Sequence, residues 1–318
     1  MKTSSTPLTQ PTNMTTFSPL ADYALSYTPN RCLGTAILFH AFRSCPKIFE
    51  KDLNSLSHIS KTVEEAVLPE TAFINGKRHN RTHLIYAIYN KKVDRVKRIL
   101  ALAPDSAKMV GWNGYTPLHI ASMNHGVPAE ILRVLLEAYP EAAMVQDKYG
   151  YVPLHWEFNT GTGSYENVKV LLEFAPKCAA IPSYKDKNTP LHLACKNSSS
   201  TKVITDLLAA APEAAGMVGP MSYTPLHWAC YNRTSLEVIT ALLAAAPEAA
   251  SKFEVSGFTP LLFLCKNGAS FEAITAVLAA APEIAGMSHS VGITPLLFAC
   301  ERNASPEIIA ALESAINS

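Results

Sequence analysis

The chain has 318 residues, of which 48% are hydrophobic and 17% are charged, and its formal net charge is +1. With a net charge so close to zero, the protein has no overall electrostatic field that would attract nucleic acid or a membrane. Its high hydrophobic fraction excludes a wholly disordered chain. Its 22 prolines outnumber its 14 glycines, which reverses average usage. Proline therefore marks a regular feature of the chain.

The first 80 residues differ from the rest. Residues 1–30 are rich in Ser, Thr and Pro, which predicts disorder. We expect residues 31–80 to form a helical N-terminal region, and residues 34–60 to be a degenerate repeat, because 35–49 resembles 294–309. The chain starts without the apolar stretch of a secretory signal, and no run of about 18 apolar residues indicates a membrane span. Seven cysteines without a CxxC pair favour a reducing compartment, hence the cytoplasm, with the nucleus as the alternative.

Residues 81–318 contain a repeat. The segment GYTPLHIAS at residues 114–122 returns as GYVPLHWEF, NTPLHLAC, YTPLHWAC, FTPLLFLC and ITPLLFAC. The prolines of these copies are spaced by 36, 37, 35, 35 and 35 residues. A second series of equal period follows the apolar helical patterns, at Pro104, Pro140, Pro176, Pro212, Pro247 and Pro282. A period in the mid-thirties indicates stacked supersecondary units.

Each unit is predicted to contain two helices. A threonine precedes the first helix in most units and is a favoured N-cap, and proline suits the first helical position. The first helix is expected to end near an asparagine such as Asn197 or Asn232, in the left-handed conformation. The second helix opens at Ser200, Ser235, Ser270 or Ser305 and stops at Ala-Pro. One unit cannot bury its apolar stripe alone, so the units must stack.

The G-x-T-P-L-H-x-A unit resembles the ankyrin repeat over roughly residues 81–318. The resemblance implies an all-α, ankyrin-type helical solenoid with projecting loops, about seven units including both caps, and a concave face that binds proteins. It implies neither an enzyme nor a cofactor. Ala-Pro-Glu stands where the family has Gly-Ala-Asp, which leaves open whether the loops form β-hairpins.

Two series of residues repeat with the units. Cysteines at 195, 230, 265 and 300 would form a metal or redox ladder only if they converged. Equivalent positions in stacked helices lie about 8–10 Å apart, too far for a disulfide or a shared zinc ion. We interpret them as buried core residues and predict no metal site. By resemblance, His119, His155, His192 and His227 each bridge a helix start to the neighbouring loop, and no nucleophile accompanies them.

The segment from Lys77 to Arg98 holds eight basic residues and one acidic residue. It is either a phosphate-binding or nuclear-import segment or, as we favour, the solvated face of an N-terminal cap.

The unit at residues 152–188 is irregular, because Val152 replaces the capping threonine and Glu157 takes a small-residue position. A buried charge needs a partner or must be neutralised, and Lys196 or a loop donor is the candidate partner. Glu157 marks either a drifted repeat, which we favour, or a notch for a specific partner.

The loops carry aromatic residues, which are frequent interface anchors. Tyr115, Tyr151, Tyr223 and Phe258 are expected to pack between loops, whereas Trp112, Tyr149 and Tyr184 are the candidates for exposure. Together with the neighbouring positions and the notch, the predicted protein-binding residues are Trp112, Asn113, Lys148, Tyr149, Tyr184, Lys185, Met221 and Glu157.

The sequence thus predicts a non-catalytic scaffold that binds one protein partner, without catalytic residues, metal, cofactor, nucleic acid or membrane span, and monomeric. Two alternatives remain. In the first, the protein is an adaptor whose N-terminal region carries a separate activity and whose repeats select the target of that activity. In the second, the basic cap makes the protein a nuclear or nucleic-acid-associated factor.

Overall fold

The structure is a computed structural model that describes residues 83–159, 161 and 163–317, and the backbone of residues 72–74 and 77–81. The chain divides into two units, residues 1–82 and 83–318. The predicted disorder of residues 1–30 and the degenerate repeat at 34–60 lie outside the described residues.

In the first unit, strands β1 (Ala72–Ile74) and β2 (Lys77–Arg81) pair antiparallel, with Ala72 opposite Arg81 and Ile74 opposite Lys77. Residues 31–80 were predicted to form a helical region, and that prediction is wrong for residues 72–74 and 77–80, which are strands. The sequence between the strands reads Asn-Gly, the strongest short-range hairpin signal.

The second unit is an all-α solenoid in its described residues. Its fourteen α-helices follow one another in seven pairs, which we number as units 1–7. The pairs are α1 (His83–Tyr89) and α2 (Val93–Leu102), α3 (Pro117–Met123) and α4 (Ala129–Ala138), α5 (Pro153–Asn159) and α6 (Tyr165–Phe174), α7 (Pro190–Lys196) and α8 (Thr201–Ala210), α9 (Pro225–Tyr231) and α10 (Leu236–Ala245), α11 (Pro260–Asn267) and α12 (Phe271–Ala280), and α13 (Pro295–Glu301) and α14 (Pro306–Ile316).

The predicted caps are confirmed, except that Ser305 holds the N-cap position without a side-chain cap hydrogen bond. Thr116, Thr189, Thr224, Thr259 and Thr294 are N-caps whose hydroxyls accept the backbone N–H three residues later. Ser200, Ser235 and Ser270 do the same for the second helices. Each capped N–H is one of the orphan donors at a helix start, so these residues fix where each helix begins.

The proline segments that end the second helices, three of which read Ala-Pro-Glu, also form structure of their own. After each stop the chain forms a 3₁₀ helix, at Pro104–Lys108, Pro140–Met144, Pro176–Ala180, Pro212–Gly216, Pro247–Ser251 and Pro282–Gly286. Alanines of these short helices, such as Ala142 and Ala143, are buried. The 3₁₀ helix is therefore a structural layer between each second helix and the following loop.

The asparagines that end the first helices do not adopt the predicted left-handed conformation. Asn197 has φ −95°, and the following Ser198 has φ 54°. The side chain instead reaches back to the preceding unit, where Asn197 Nδ2 donates to the carbonyls of Phe158 and Gly161. This contact is favourable because carbonyls at a helix C-terminus lack intrahelical partners, and the asparagine side chain supplies a donor for them.

Stacked first helices and stacked second helices form the core. Each first helix contacts the first helix of the next unit, and the second helices pack likewise. Ala121, Ala194, Ala229 and Ala299 are fully or almost fully buried at the close approaches between first helices. The second helices contribute apolar pairs such as Val238/Ile239 and Leu242/Leu243. This packing holds the loops at one end of the first helices and the interhelix turns at the other.

Candidate protein-binding surface

Buried histidines tie each loop to its neighbour. Nδ1 of His119 accepts the backbone N–H of Thr116 at 3.1 Å, so the proton lies on Nε2, which donates to the carbonyl of Tyr151 at 3.0 Å. His155, His192 and His227 repeat this arrangement, with the carbonyls of Asn188, Tyr223 and Phe258. The bridging role implied by the family resemblance is confirmed.

Burial determines the charge of these histidines. It lowers the pKa of His119, His155, His192 and His227 to about 4, although the carbonyl acceptors oppose the shift. A neutral imidazole can accept at Nδ1 while donating at Nε2, whereas the charged form cannot accept. The four side chains are therefore neutral links at pH 7.

Backbone hydrogen bonds join successive loops. The N–H of Lys148 donates to the carbonyl of Asn113, and that of Tyr184 to Tyr149. Farther along, Val255 donates to Met221 and Ser290 to Ser256. The described residues of these loops form turns and 3₁₀ helices. Over this part of the chain the projecting loops are therefore not β-hairpins, a point that the Ala-Pro-Glu segments had left open.

This series of loop contacts is interrupted once. Pro220 occupies the position that Lys148, Tyr184, Val255 and Ser290 hold in their loops, and proline has no N–H to donate. Among the described residues, no backbone hydrogen bond joins the 183–188 loop to the 219–223 loop. His192 still links the two units through the carbonyl of Tyr223.

The predicted loop residues fall into exposed and supporting groups. Trp112 is 84% exposed and Tyr184 is 63% exposed, and Met221, Lys148 and Lys185 are also exposed. These side chains lie on successive loops, so the structure places them along one edge of the array.

Tyr149 was predicted to be exposed, but it is half-buried. Its ring faces Lys148 Nζ at 5.8 Å and Lys185 Nζ at 5.6 Å, within range of a cation–π interaction. Asn113 is half-buried too, in the left-handed conformation with φ 63°. Both therefore shape the loop edge more than they offer contact area.

The aromatic residues that precede the helix caps were predicted to pack between loops, but they pack mainly against aromatic side chains of the first helices. Phe258 also stacks on His289 of the next loop. Tyr223 stacks on Trp228 at 4.6 Å, Phe258 stacks on Phe263 at 4.9 Å, and Tyr115 meets Trp156 edge-on at 5.7 Å. The loop bases are thus fixed by aromatic contacts as well as by hydrogen bonds.

Three exposed apolar residues of this surface lie outside the predicted set. Tyr231 at the end of a first helix is exposed, and so are Val255 and Val291 at loop tips. The two valines lie in the projecting loops, the part of the repeat in which exposed aromatic residues were predicted. Their position in the repeat could therefore have predicted their exposure.

Glu157 lies away from the loop edge. It is 5% exposed, so it contributes almost no area to the outer surface of the array. Its carboxylate accepts from Asn167 Nδ2 at 3.2 Å and from the N–H of Ser164 at 3.5 Å. The hydrogen-bond partners of Glu157 are therefore Ser164 in the loop and Asn167 in the second helix. Lys196, the other predicted candidate, lies over the Trp228 ring instead. Burial raises the pKa of Glu157 to about 7, against the opposing effect of these hydrogen bonds.

The cysteine ladder is buried except at its end. Cys195, Cys230 and Cys265 are buried, and burial raises the pKa of the Cys195 thiol to about 12. Cys300 was predicted to be buried but is exposed, because no described unit follows unit 7 to cover it. The described residues hold no group of three His, Cys, Asp or Glu side chains that could bind a metal.

The basic residues of unit 1 are partly engaged. Lys97 Nζ pairs with Glu130 at 2.8 Å, and Arg95 lies 5.8 Å from the centre of the Tyr86 ring. Lys91, Lys92 and Arg98 are exposed. A mixture of paired and solvated cations is what a polar terminal cap requires.

A family model described as ankyrin repeats in three copies matches residues 84–181 and 160–252, together more than half of the 318 residues. The chain belongs to the ankyrin-repeat family. Ankyrin repeats typically mediate protein–protein interaction and are not typically enzymes. No curated protein matches the sequence of this ankyrin-repeat chain.

Solved ankyrin structures resemble the array. The ankyrin repeat domain of human ASB11 is 21% identical with a TM-score of 0.55, over 74% of this chain and 98% of that one. The ankyrin repeat domain of Bcl-3, described as a unique member of the IkappaB protein family, is 20% identical with a TM-score of 0.55, over 72% and 97%. At this identity the likeness shows the fold alone. No helix in the described part of this ankyrin-repeat chain has the length and hydropathy to cross a membrane.

Proposed function

We propose that this protein is a non-catalytic scaffold that binds a protein partner on the face formed by its loops and first helices, the concave face in the family. The observation that carries the proposal is the row of exposed apolar side chains, above all Trp112 and Tyr184, on loops held by hydrogen bonds. Large exposed apolar side chains rimmed by polar groups mark interaction sites.

The rigidity of the loops supports the same function. Their bases are fixed by the histidine links and by backbone bonds between loops, so little conformational entropy remains to be lost on binding. Lys148 and Lys185 add positive charge beside Tyr184. The partner surface should therefore combine apolar groups with acidic ones.

Proximity cross-linking of the full chain in cells, followed by mass spectrometry, tests the proposal. We expect the Trp112→Ser/Tyr184→Ser variant to lose the cross-linked partner at least tenfold, because central aromatic anchors carry much of the binding energy. The matched control is Leu236→Ser/Phe271→Ser, which alters two exposed apolar residues at the starts of second helices. Equal capture by the loop variant and the unmodified chain would overturn the proposal.

A further inference from the structure

A polar cavity lies between units 2 and 3, at the interhelix end of the first helices. Its volume is about 270 Å³, close to the lower limit of about 300 Å³ for small-molecule sites. Three of its lining residues are buried, namely Ser122 at 3%, Asn167 at 3% and Glu157 at 5% exposure. Other lining residues, His125, Gly126 and Ser164, are exposed, so the cavity reaches the surface.

Each buried polar residue replaces an apolar one. The position of Ser122 holds Phe158 or a cysteine in units 3–7, and the position of Glu157 holds alanine or leucine in units 2 and 4–7. Asn167, the third residue of its helix, stands where the second helices of units 2 and 4–7 have Ile131, Val203, Val238, Ala273 and Ile308. Three polar replacements thus coincide at one cavity, which simple drift of a single position does not explain.

The hydrogen bonds within the cavity are incomplete. Asn167 donates to the Glu157 carboxylate through Nδ2, which leaves Oδ1 as the free end of the amide. Asn167 Oδ1 has no hydrogen-bond partner. The Ser122 hydroxyl lies close enough to the Glu157 carboxylate to lower its pKa as a donor, which leaves the lone pairs of Ser122 Oγ without a donor of their own. Buried polar groups normally find partners. Carboxylate, amide and hydroxyl oxygens here offer acceptors, so a complementary ligand must be rich in donors and cannot be an anion.

We propose that this cavity binds a guanidinium group, with Glu157, Asn167 Oδ1 and Ser122 Oγ as its acceptors. A guanidinium ion presents five N–H donors in a planar fork, carries the charge that complements Glu157, and is more weakly hydrated than an ammonium. The group belongs either to a free small molecule or to an arginine side chain of a peptide. The cavity lies at the opposite end of the first helices from the loop edge, so the proposal does not depend on the proposed function.

Titration of the full-length ¹⁵N-labelled protein with methylguanidinium at pH 7.5 tests the site. The signal of the Asn167 side-chain amide is the readout. We expect saturable binding, at least tenfold weaker in Glu157→Gln, and unchanged within twofold in Glu166→Gln, which alters an exposed carboxylate one residue before Asn167. Tetramethylammonium, which has the charge but no N–H, should cause no shift.

Ser122→Cys provides a second variant that keeps the buried carboxylate and restores the residue found in units 4–7. It should weaken methylguanidinium binding about threefold or more. Comparison with N-acetylarginine amide separates the two sources: binding of both probes indicates a peptide arginine, and binding of methylguanidinium alone indicates a small molecule. The absence of saturable binding, equal binding by Glu157→Gln, or equal shifts with tetramethylammonium would overturn the proposal.

Discussion

Individual buried residues carry the pH response of this protein. The four histidines have pKa values of about 4, below the ordinary 6.5. A histidine whose pKa is lowered by folding contributes full stability above its unfolded pKa. That stability is lost as the pH falls from about 6.5 towards 4. The array should therefore lose stability in mild acid.

His192→Leu tests this, since leucine occupies the equivalent position in units 6 and 7. At pH 7 the variant should be less stable by about 1–3 kcal/mol, because the N–H of Thr189 and the carbonyl of Tyr223 lose their partner. At pH 5 the difference in unfolding free energy between the two proteins should narrow by about 1–2 kcal/mol. The unmodified chain loses stability there because unfolding frees His192 to bind a proton, whereas leucine has no such group. Urea unfolding at both pH values measures it, and a difference independent of pH would contradict the assignment.

Glu157 should respond in the opposite direction. Burial raises its pKa from 4.5 to about 7, so its ionisation opposes folding above pH 7, and the cost disappears below about pH 4.5. Glu157→Gln is therefore expected to be more stable than the unmodified chain by about 1–3 kcal/mol at pH 8. The gain should shrink at pH 5, as measured by urea unfolding, and Glu166→Gln should show no such gain.

At the scale of elements, the boundaries of the helices depend on side chains that satisfy backbone groups. Thr224 caps its own helix, whereas Asn232 acts on another unit. Its Nδ2 donates to the carbonyls of Cys195 at 3.0 Å and Lys196 at 2.7 Å. Asparagine thus connects consecutive first helices. The helix ends at Asn232 as predicted, but the residue does not adopt the left-handed conformation expected there, with φ −87°.

Asn232→Ala should lower the free energy of unfolding by about 1–2 kcal/mol, because two helix-terminal carbonyls lose a shared donor. Asn90→Ala is the control, since Asn90 donates only to Tyr86 within its own helix and is exposed. Thermal unfolding of both variants distinguishes a link between units from a local cap. Equal losses would show that the contact between units adds nothing.

Unit 3 offers the converse test, because Val152 stands where the other capped units have threonine. Val152 N–H donates to His155 Nδ1 at 3.1 Å, and the N–H of His155 donates to the Val152 carbonyl at 2.9 Å. Val152→Thr would add a hydroxyl that shares the N–H of His155. We expect a gain of about 0.5–1 kcal/mol, visible as a higher Tm. A loss would mean that the cost of burying the hydroxyl exceeds the value of the cap.

Across the whole array of units 1–7, stability comes from contacts between neighbouring units, as expected for a repeat protein. Histidine links continue through unit 5, whereas Leu262 and Leu297 replace them in units 6 and 7. The aromatic stack of Phe258 on His289 at 4.7 Å takes over at that end. The row of loops is therefore held by different chemistry along its length.

Hydrogen exchange resolved by residue should report the loop contacts. The amides of Lys148, Tyr184, Val255 and Ser290 donate to the preceding loop, so they should exchange at least tenfold more slowly than the amides of Val218 and Phe253. No hydrogen bond from these two amides occurs among the described residues. Uniformly fast exchange along the loops would contradict a preorganised edge.

The sequence by itself determined the repeat, the helix starts and the apolar stripes. These follow from local rules, because a threonine caps the helix that begins beside it and proline cannot continue a helix. The histidine links were inferred from the family resemblance of the motif. The asparagines were placed correctly at the ends of the first helices, but their role between units was not predicted, since their partners lie about one unit away in sequence.

Tertiary structure alone decided which side chains meet. The sequence marked Glu157 as a buried charge, but only packing of two units brought it to Asn167 and Ser122 in one cavity. Tyr149 became half-buried because two lysines approach its ring, and Cys300 became exposed because no described neighbour covers it. Loop edge and cavity are properties of the stack, since each is built from residues of adjacent units that no local pattern relates.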